Sequence, residues 1–381
     1  MKTSQRLSEF TSFIVMDILE EALSLEAQGH DVVHLEIGEP DFSPPPPVVD
    51  AMCRAVVDGH THYTHSLGLW SLREAISDYY GRVYGVEVSP GRICVTTGTS
   101  AAFLMLFGAL LDAGQGVGMS DPGYACYPNF VRFVGGRPVA LPISVKDGFQ
   151  LTPERAACTT VEESPIVIIS SPANPTGTLT ARSTYEWLLA RGHTLISDEI
   201  YHGLVYDGSR VETALGLSED VIVVDGFSKR YAMTGCRLGW MVVPESLVRT
   251  INRISQNLFI SPPTPSQYGG IAALEHGDGH VECMRLEYGQ RRRLLIDGLA
   301  RLGFEVAFEP QGAFYVFAEI SRFSDDSYSF CKRMLREAHV AATPGVDFGK
   351  HETNRYVRFA YTRGQDCIVK ALDRLAHWLN G

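Results

Sequence analysis

The chain has 381 residues, of which 45% are hydrophobic, so it can bury a large core and exceeds the usual size of a single domain. Its formal net charge of -11 argues against nucleic acid or an anionic membrane surface as a partner, because either would require a basic patch. Two domains are therefore expected, with neither of those partners.

The first part of the chain is predicted to form a helix, a short strand and a proline-rich link. The run SPPPPVV at 43–49 suggests a stiff, extended segment that leads into the next helix. From about 92 to 243, strand-like apolar segments alternate with helical ones. This alternation is typical of a mostly parallel sheet with helices on both faces.

The run RICVTTGTSAAFLMLFGALLDAG at 92–114 fits a strand, a glycine turn and an apolar helix. The backbone amides of Ser100 and Ala101 would open that helix, where they suit a phosphate. GxGxxG is missing after the strand, so the run is not a dinucleotide fingerprint.

Two later strands end in polar side chains. IVIISSPANPTG at 166–177 is a β-branched run followed by a turn, in which Asn174 offers an amide donor. SDEIYHGLVYD at 197–207 follows another apolar segment and places Asp198 at the carboxyl end of a strand, with Tyr201 three residues later. Open α/β sheets bind ligands at that edge. Taken singly, the three residues could also be a turn former, a helix N-cap and a packing residue.

The most informative run is GFSKRYAMTGCRLGW at 226–240, which follows the apolar segment VIVVD at 221–225. It places Lys229 after a buried strand, with Arg237 eight positions later. A lysine attacks a carbonyl only when its amine is neutral, and apolar walls or a nearby cation lower its pKa from about 10.4. Arg237 could supply that cation and bind a phosphate through its planar fork. A single lysine after a strand is more often a surface residue, so Lys229 by itself does not establish this chemistry.

From 245 onward the pattern is mainly helical, with a long arginine-rich helix near 278–302. GFEVAFEP, GAFYVFAEI and RYVRFAY then look like antiparallel strands, with a helix at 325–338 among them. Arg358 lies in the last of these, where a charge in an alternating strand usually faces solvent.

The eight cysteines are scattered without CxxC spacing, which predicts reduced thiols in a cytoplasmic protein, with neither disulfides nor a zinc site. His60, His62 and His65 are the only grouped histidines, and they fall in a predicted loop where we expect no metal. The N-terminal run lacks the pattern of a signal peptide. No stretch reaches about 18 uninterrupted apolar residues, so no membrane span is expected.

Together these motifs resemble the class I/II aminotransferases of fold type I, the aspartate aminotransferase superfamily, which use pyridoxal phosphate. The resemblance extends from LEIGEPDF at 35–42 to RFAY at 358–361, nearly the whole chain. GFSKRYAMTGCRLG fits the family's lysine signature throughout, and SSPANPTG and SDEIY fall in the expected order. The implied fold is α/β, with a mostly parallel seven-stranded sheet in a large domain and a smaller α+β domain. The implied boundaries are 48–285 for the large domain, and 286–381 with the N-terminal segment 1–47 for the small one.

The resemblance also implies roles for individual residues. Lys229 would carry the cofactor as a Schiff base and act as the general base. Asp198 would pair with the pyridine nitrogen, and Asn174 with Tyr201 would contact the phenolate oxygen. Further cofactor contacts would come from Ser100, Ala101 and Arg237 at the phosphate, from Tyr124 stacked on the ring, and from Ser228.

Substrate binding is implied for three residues, of which Arg358 would bind the α-carboxylate as a bidentate pair. Gly38 would let that carboxylate approach the backbone, and Asn174 would also contact the substrate. Tyr63, in HYTHSLGLW, matches a tyrosine that reaches across a dimer to the neighbouring subunit's phosphate. A homodimer with shared active sites is therefore expected, and the smaller domain should close over the substrate.

Three positions depart from the commoner family pattern. Gly226 stands where some branches have a serine that touches the phosphate, so that contact is absent or supplied elsewhere. Cys236 replaces a frequent tryptophan and is interpreted as a structural thiol. Ser100 lies where one aspartate-specific branch carries a lysine, which weakens the case for aspartate as substrate.

The implied activity is transfer of an amino group from an L-amino acid to a 2-oxo acid, 2-oxoglutarate by family habit. Apolar or aromatic substrates are favoured, with aspartate still open, and the candidates for the side-chain pocket are Phe13, Ile14, Tyr124 and Phe314. A C–S β-lyase or an aminocyclopropane-carboxylate synthase would need the same lysine, aspartate and arginine. A non-catalytic regulator that senses the cofactor would usually add a basic DNA-binding module, which is not recognised in this sequence.

Overall fold

The computed structural model describes residue 4, residues 7–209 and residues 211–381, so residues 1–3, 5 and 6 of the predicted N-terminal segment lie outside it. The strands are β1 (Val33–His34), β2 (Ile93–Thr96), β3 (Gly116–Asp121), β4 (Arg137–Pro142), β5 (Ile166–Ser170), β6 (Thr194–Asp198), β7 (Ile222–Gly226), β8 (Gly239–Val242), β9 (Tyr315–Glu319), β10 (Val340–Ala341), β11 (Thr343–Pro344) and β12 (Tyr356–Ala360). The α-helices are α1 (Ile14–Ala27), α2 (Pro46–Val57), α3 (Trp70–Tyr84), α4 (Thr99–Leu110), α5 (Tyr127–Phe133), α6 (Pro153–Ala157), α7 (Arg182–Ala190), α8 (Phe227–Arg230), α9 (Glu245–Leu258), α10 (Thr264–His276), α11 (Asp278–Leu302), α12 (Ser327–Ala338) and α13 (Gln365–Asn380).

Strands β2 to β8 form one seven-stranded sheet in the order β2-β8-β7-β6-β5-β3-β4. The pairs from β4 to β7 are parallel, whereas β8 runs antiparallel to both β7 and β2. The near-continuous apolar runs of β5, β6 and β7 suit strands that are buried on both faces. The prediction of a mostly parallel seven-stranded sheet is confirmed.

The polar residues of the predicted site follow neighbouring strands of this sheet. Asp198, the last residue of β6, pairs in register with Ser170 of β5 and Val224 of β7. Asn174 lies just beyond β5, and Lys229 lies in the short helix α8 that follows β7. The carboxyl ends of parallel strands meet at one edge, so these three side chains are brought to the same place.

A second core joins the two ends of the chain. Strands β11, β12 and β9 form an antiparallel sheet in that order, and β1 pairs with β10 in parallel. Ile18 and Leu35 from the N-terminal segment share a buried cluster with Leu295, Phe330 and Leu375. This packing supports the proposed composition of the smaller domain, whose exact boundaries stay a prediction.

Two local predictions are wrong. The segment 303–310 makes only an isolated bridge between Glu305 and Glu319, because its aromatic residues pack into different clusters instead of alternating along one sheet. The proline run is extended only before Pro46, which begins α2. Proline is favoured in a first helical turn because its missing N–H would have no partner there.

Across the described ranges, no helix combines the length and the apolar composition that crossing a bilayer requires. Over the same ranges, no group of three or more histidine, cysteine, aspartate or glutamate side chains is placed to hold a metal ion. All eight cysteines are free thiols.

Candidate active site

A cavity of about 280 Å³ opens at the carboxyl edge of the sheet. It is lined by most of the residues that the sequence singled out, namely Gly38, Ser100, Tyr124, Asn174, Asp198, Tyr201, Lys229 and Arg358. Ala101 and Ser228 are buried and do not belong to the lining, although each is next in sequence to a lining residue, and Arg237 lies beside Gly98. Tyr63 is outside the cavity, on the surface.

Lys229 projects from α8 into the cavity, where its Nζ donates a hydrogen bond to the carbonyl oxygen of Gly38 at 2.8 Å. Burial lowers the pKa of this amine to about 8. The negative charge of Glu39 raises the pKa, whereas the positive charges of Arg358 and Arg237 lower it. At pH 7 roughly a tenth of such amines are neutral, compared with well under a thousandth for an exposed lysine. The side chain can therefore act as a nucleophile and a base.

Asp198 is buried at the end of β6 and is held by two donors. The Tyr127 hydroxyl donates a short hydrogen bond to Oδ2, and the Ile200 amide donates to Oδ1 at 3.2 Å. Burial raises the pKa of Asp198 to about 6, and these two hydrogen bonds limit the rise. The carboxylate is thus ionised at neutral pH and able to pair with a cationic ring nitrogen. Tyr127 had no distinguishing signal in the sequence.

Arg358 is only 2% exposed, so the expectation from strand alternation that its charge faces solvent is wrong. Its strand is the middle one of three, covered on both faces. The guanidinium donates to Asn174 Oδ1 at 2.9 Å, to the Glu36 carbonyl at 2.6 Å and to Thr343 Oγ1 at 3.1 Å. All of these partners are neutral, and its Nε has no hydrogen-bond partner among the residues that the structure describes. A buried cation with neutral partners is a strong site for an anion.

Two tyrosines connect the arginine with the rest of the cavity. The guanidinium of Arg358 lies over the ring of Tyr315, 4.2 Å from its centre, and the Tyr315 hydroxyl is 2.9 Å from that of Tyr201. A Cβ atom at Gly38 would come within 1.9 Å of the Tyr315 hydroxyl. Close backbone approach therefore requires glycine at position 38. Tyr315 was not identified from the sequence.

The other end of the cavity is suited to a phosphate. Helix α4 begins at Thr99, so the amides of Ser100 and Ala101 belong to its first turn. Gly98 has a φ of +79, and a Cβ there would lie 2.7 Å from Arg237 Nη2. The arginine fork thus lies directly against the turn that opens the helix. Backbone amides, the helix dipole and a guanidinium together stabilise a doubly charged anion.

The side-chain pocket differs in part from the prediction. Phe13 and Tyr124 line the cavity, with their rings edge-on at 6.5 Å. Ile14 and Phe314 are not in the lining; Phe314 is fully buried in the second core, although its ring centre is 5.9 Å from Lys229 Nζ. The apolar wall is completed by residues that the sequence did not identify, namely Val15, Met16, Ile37 and Phe103.

The departures from the family pattern have structural reasons. A Cβ at Gly226 would lie 3.2 Å from both the Gly239 Cα and the Leu238 carbonyl oxygen, so β7 and β8 approach closely there. The Cys236 thiol is half-buried and contacts the Met52 sulfur at 3.8 Å, and burial raises its pKa. Cys236 is therefore a packing residue rather than a nucleophile.

These residues fit pyridoxal phosphate. Lys229 supplies an amine for the aldehyde, Asp198 a carboxylate for the ring nitrogen, and the cradle of Gly98, Arg237 and the α4 amides a site for the phosphate. Each group of the cofactor would find a chemically complementary partner in this cavity or directly beside it.

Comparison with known proteins identifies the family. Residues 30–375 match the family described as aminotransferase class I and II. A (5-formylfuran-3-yl)methyl phosphate transaminase from Methanocaldococcus jannaschii is 40% identical, over 99% of this chain and 99% of that protein. A valine–pyruvate aminotransferase from Mycobacterium tuberculosis is 38% identical, over 96% of each chain. The crystal structure of an aminotransferase from Mycobacterium tuberculosis has a TM-score of 0.95 at 36% identity, covering 100% of this chain and 99% of the other.

The match extends over nearly the whole chain and agrees with the fold and with the lysine at the sheet edge. The chain therefore belongs to the class I and II aminotransferases and is an enzyme that depends on pyridoxal phosphate.

Proposed function

We propose that this aminotransferase moves the amino group of an L-amino acid with an apolar or aromatic side chain to a 2-oxo acid, with 2-oxoglutarate as the family's usual acceptor. The observation that carries the proposal is Arg358, a buried guanidinium that faces the cavity and donates its hydrogen bonds to neutral groups. A planar carboxylate is the anion that matches its fork. Amino acids and 2-oxo acids share that group.

Pyridoxal phosphate, when bound, supplies an aldehyde that combines with amines and a ring that accepts electrons from the substrate Cα. Lys229 would hold the aldehyde carbon, Asp198 the ring nitrogen, and Asn174 with Tyr201 the phenolate oxygen. The remaining contacts are assigned to Ser100, Ala101, Ser228 and Arg237 around the phosphate, and to Tyr124 against the ring.

The chain's own groups divide the chemical work. Arg358 and Asn174 hold the substrate carboxylate and so fix the orientation of the Cα–H bond. Lys229, with its lowered pKa, removes the Cα proton as general base and returns a proton later. Asp198 is ionised above a pH of about 6 and keeps a proton on the ring nitrogen, while Tyr127 keeps its carboxylate in place.

The cavity wall supports an apolar substrate. Among the described residues, Lys229 and Arg358 are the only lysine or arginine side chains in the lining, so one protomer offers no second arginine for a side-chain carboxylate. The relative from Mycobacterium tuberculosis is named for valine and pyruvate, which agrees with this wall. The relative from Methanocaldococcus jannaschii is named for a phosphate ester, so closely similar chains act on different side groups.

We also propose a homodimer in which Tyr63 contacts the partner subunit's cofactor phosphate. Tyr63 is 79% exposed and lies near other exposed apolar residues in sequence, Val57 and Trp70. Exposed aromatic and apolar side chains favour association. The free thiols support a reducing compartment, and we propose the cytoplasm.

The test is the absorbance spectrum of the cofactor-loaded enzyme mixed with single amino acids and no oxo acid. Phenylalanine and valine should convert the aldehyde form of the cofactor to its amine form faster than aspartate does. Phenethylamine, which lacks the carboxylate, should convert it at least a hundredfold more slowly, because it offers the Arg358 guanidinium no anion to bind.

Arg358→Lys is the matched variant, since it keeps a charge but loses the fork, and it should raise the phenylalanine KM more than it lowers kcat. Aspartate as the fastest substrate would refute the apolar preference. Accumulation of ammonia and pyruvate from a cysteine conjugate, without the amine form, would indicate a β-lyase.

A further inference from the structure

We propose that Asp347 is a specificity-determining positioning residue. It caps helix α1 from a distant loop and so holds the apolar wall of the side-chain pocket in a fixed position relative to Arg358. The inference rests on the proposed function, because it concerns the fit of an apolar substrate side chain.

Helix α1 has no cap from its own sequence. The residue at its N-cap position is Phe13, which has no polar side chain, and no local capping hydrogen bond is present. Instead, Asp347 Oδ1 accepts a hydrogen bond from the Ile14 amide at 2.8 Å, and Oδ2 accepts one from the Val15 amide at 3.3 Å. A carboxylate there satisfies two free N–H groups and interacts favourably with the helix dipole. The cap comes from a residue 333 positions away from Ile14.

The capped turn is the part of α1 that reaches the cavity. Phe13, Val15 and Met16 all line it, and the Phe13 ring meets the Tyr124 ring edge-on. Met16 is 49% exposed, so side-chain packing does not fix its position. Its position is instead set by the backbone of the helix. A shift of this turn would move three apolar side chains of the substrate pocket together.

The loop that carries the cap also supports the carboxylate site. Phe348, the next residue after Asp347, packs its ring 4.7 Å from the guanidinium carbon of Arg358. Beyond it, the carboxylate of Asp121 accepts hydrogen bonds from the amides of Lys350 and His351, at 2.9 and 3.1 Å. The loop is thus anchored at its far side. One short segment therefore fixes both the pocket wall and the arginine's surroundings.

The charge of Asp347 is set by groups on three sides. Burial raises its pKa to about 6, Arg358 lowers it, and Asp17 of α1 raises it. Cys126, at the start of α5, also faces it, and Asp347 raises the pKa of that thiol. At pH 7.5 Asp347 is ionised and accepts both hydrogen bonds. As the pH falls through about 6 it gains a proton and the cap weakens.

The experiment compares Asp347→Ala and Asp347→Asn with wild-type holoenzyme at pH 7.5. Asp347→Ala should lower kcat/KM for phenylalanine about fivefold, which is the effect expected from the loss of one helix cap. It should lower kcat/KM for alanine less than twofold, because a methyl side chain does not reach the apolar wall. Asp347→Asn keeps an acceptor and should recover most of the loss. Asp17→Asn removes a carboxylate from the same turn without removing the cap, so kcat/KM should stay unchanged for both phenylalanine and alanine.

The second readout is independent of turnover. Amide hydrogen exchange of the peptide containing Ile14 and Val15 should be faster in Asp347→Ala than in wild type or Asp17→Asn, while the cofactor dissociation constant stays unchanged. Equal losses for phenylalanine and alanine, or unchanged exchange at the start of α1, would overturn the proposal. A wild-type enzyme that does not use phenylalanine refutes the proposed substrate instead, and the exchange rates then decide the capping claim alone.

Discussion

At the scale of single residues, Lys229 shows that reactivity and stability conflict. Its amine is buried, with a pKa of about 8, whereas the unfolded chain would hold it near 10.4. Below pH 8 the folded protein must keep a desolvated cation, and within the described part of the chain the Gly38 carbonyl is its one hydrogen-bond acceptor. The folded state is therefore destabilised by the same burial that makes the amine reactive.

This predicts that cofactor-free Lys229→Met is more stable than the cofactor-free wild type at pH 7, by about 1 to 2 kcal/mol after the lost hydrogen bond is counted. The folded pKa is the lower one, so the penalty is full below about pH 8 and disappears as the pH rises towards 10.4. Denaturant unfolding at pH 7 and at pH 10 measures the difference. If the variant and the wild type have the same unfolding free energy at pH 7, or differ by the same amount at both pH values, Lys229 is well solvated.

The residues that the sequence missed have a common physical cause. Tyr127 and Tyr315 are recognisable only through their partners, Asp198 and Tyr201, which lie 71 and 114 positions away. Asp347 acts on backbone amides at the other end of the chain. No periodicity or local motif encodes such pairings. Arg358 was found through the resemblance, while strand alternation alone gave the wrong environment.

At the scale of elements, the turn between β2 and α4 joins the sheet to the proposed phosphate site. Gly98 combines a positive φ with contact against Arg237, so a side chain there would strain the backbone and displace the guanidinium. The turn therefore needs glycine for two separable reasons, one conformational and one steric.

Gly98→Ala should weaken pyridoxal phosphate binding at least tenfold, because it moves Arg237 and the first amides of α4 together. Gly114→Ala is the matched control, since Gly114 has a φ of +82 but no atom within 4 Å of its Cβ position. The control should lose stability but keep its cofactor affinity. Dissociation constants from cofactor fluorescence give the comparison, and equal values for both variants would contradict the steric argument.

Elements were predicted well where a pattern was long or repeated. The alternation of strands and helices predicts the parallel sheet, and the arginine-rich pattern predicts a helix near 278–302, where α11 lies. The wrong predictions concern short segments, whose secondary structure depends on their packing against the rest of the protein. Residues 303–310 have a strand-like composition, but Phe304 and Phe308 pack against two different hydrophobic clusters.

At the scale of the whole molecule, the proposed dimer makes each site depend on two chains. Tyr63 is exposed in one protomer and lies outside its own cavity. Its assignment to the partner's phosphate was made from the resemblance and stays a prediction. The test is a mixed dimer in which one subunit carries a substitution of Tyr63 and the other a substitution of Lys229.

A heterodimer of Lys229→Ala and Tyr63→Ala subunits should contain one site with wild-type cofactor affinity and activity, and one dead site. The active site combines Lys229 of one chain with Tyr63 of the other. Tandem-tag purification isolates the mixed dimer, whose activity should be about half that of wild type. If Tyr63 served its own chain, no intact site would exist and the mixture would retain the weak binding of Tyr63→Ala.

The distribution of the site along the chain also orders events during synthesis. The seven-stranded sheet and the phosphate cradle are complete once residues up to Val242 have been made, whereas Arg358 comes much later. At ordinary translation speeds roughly ten seconds separate the two. The growing chain thus acquires the residues that we propose to hold the cofactor before Arg358, which we propose to bind the substrate carboxylate.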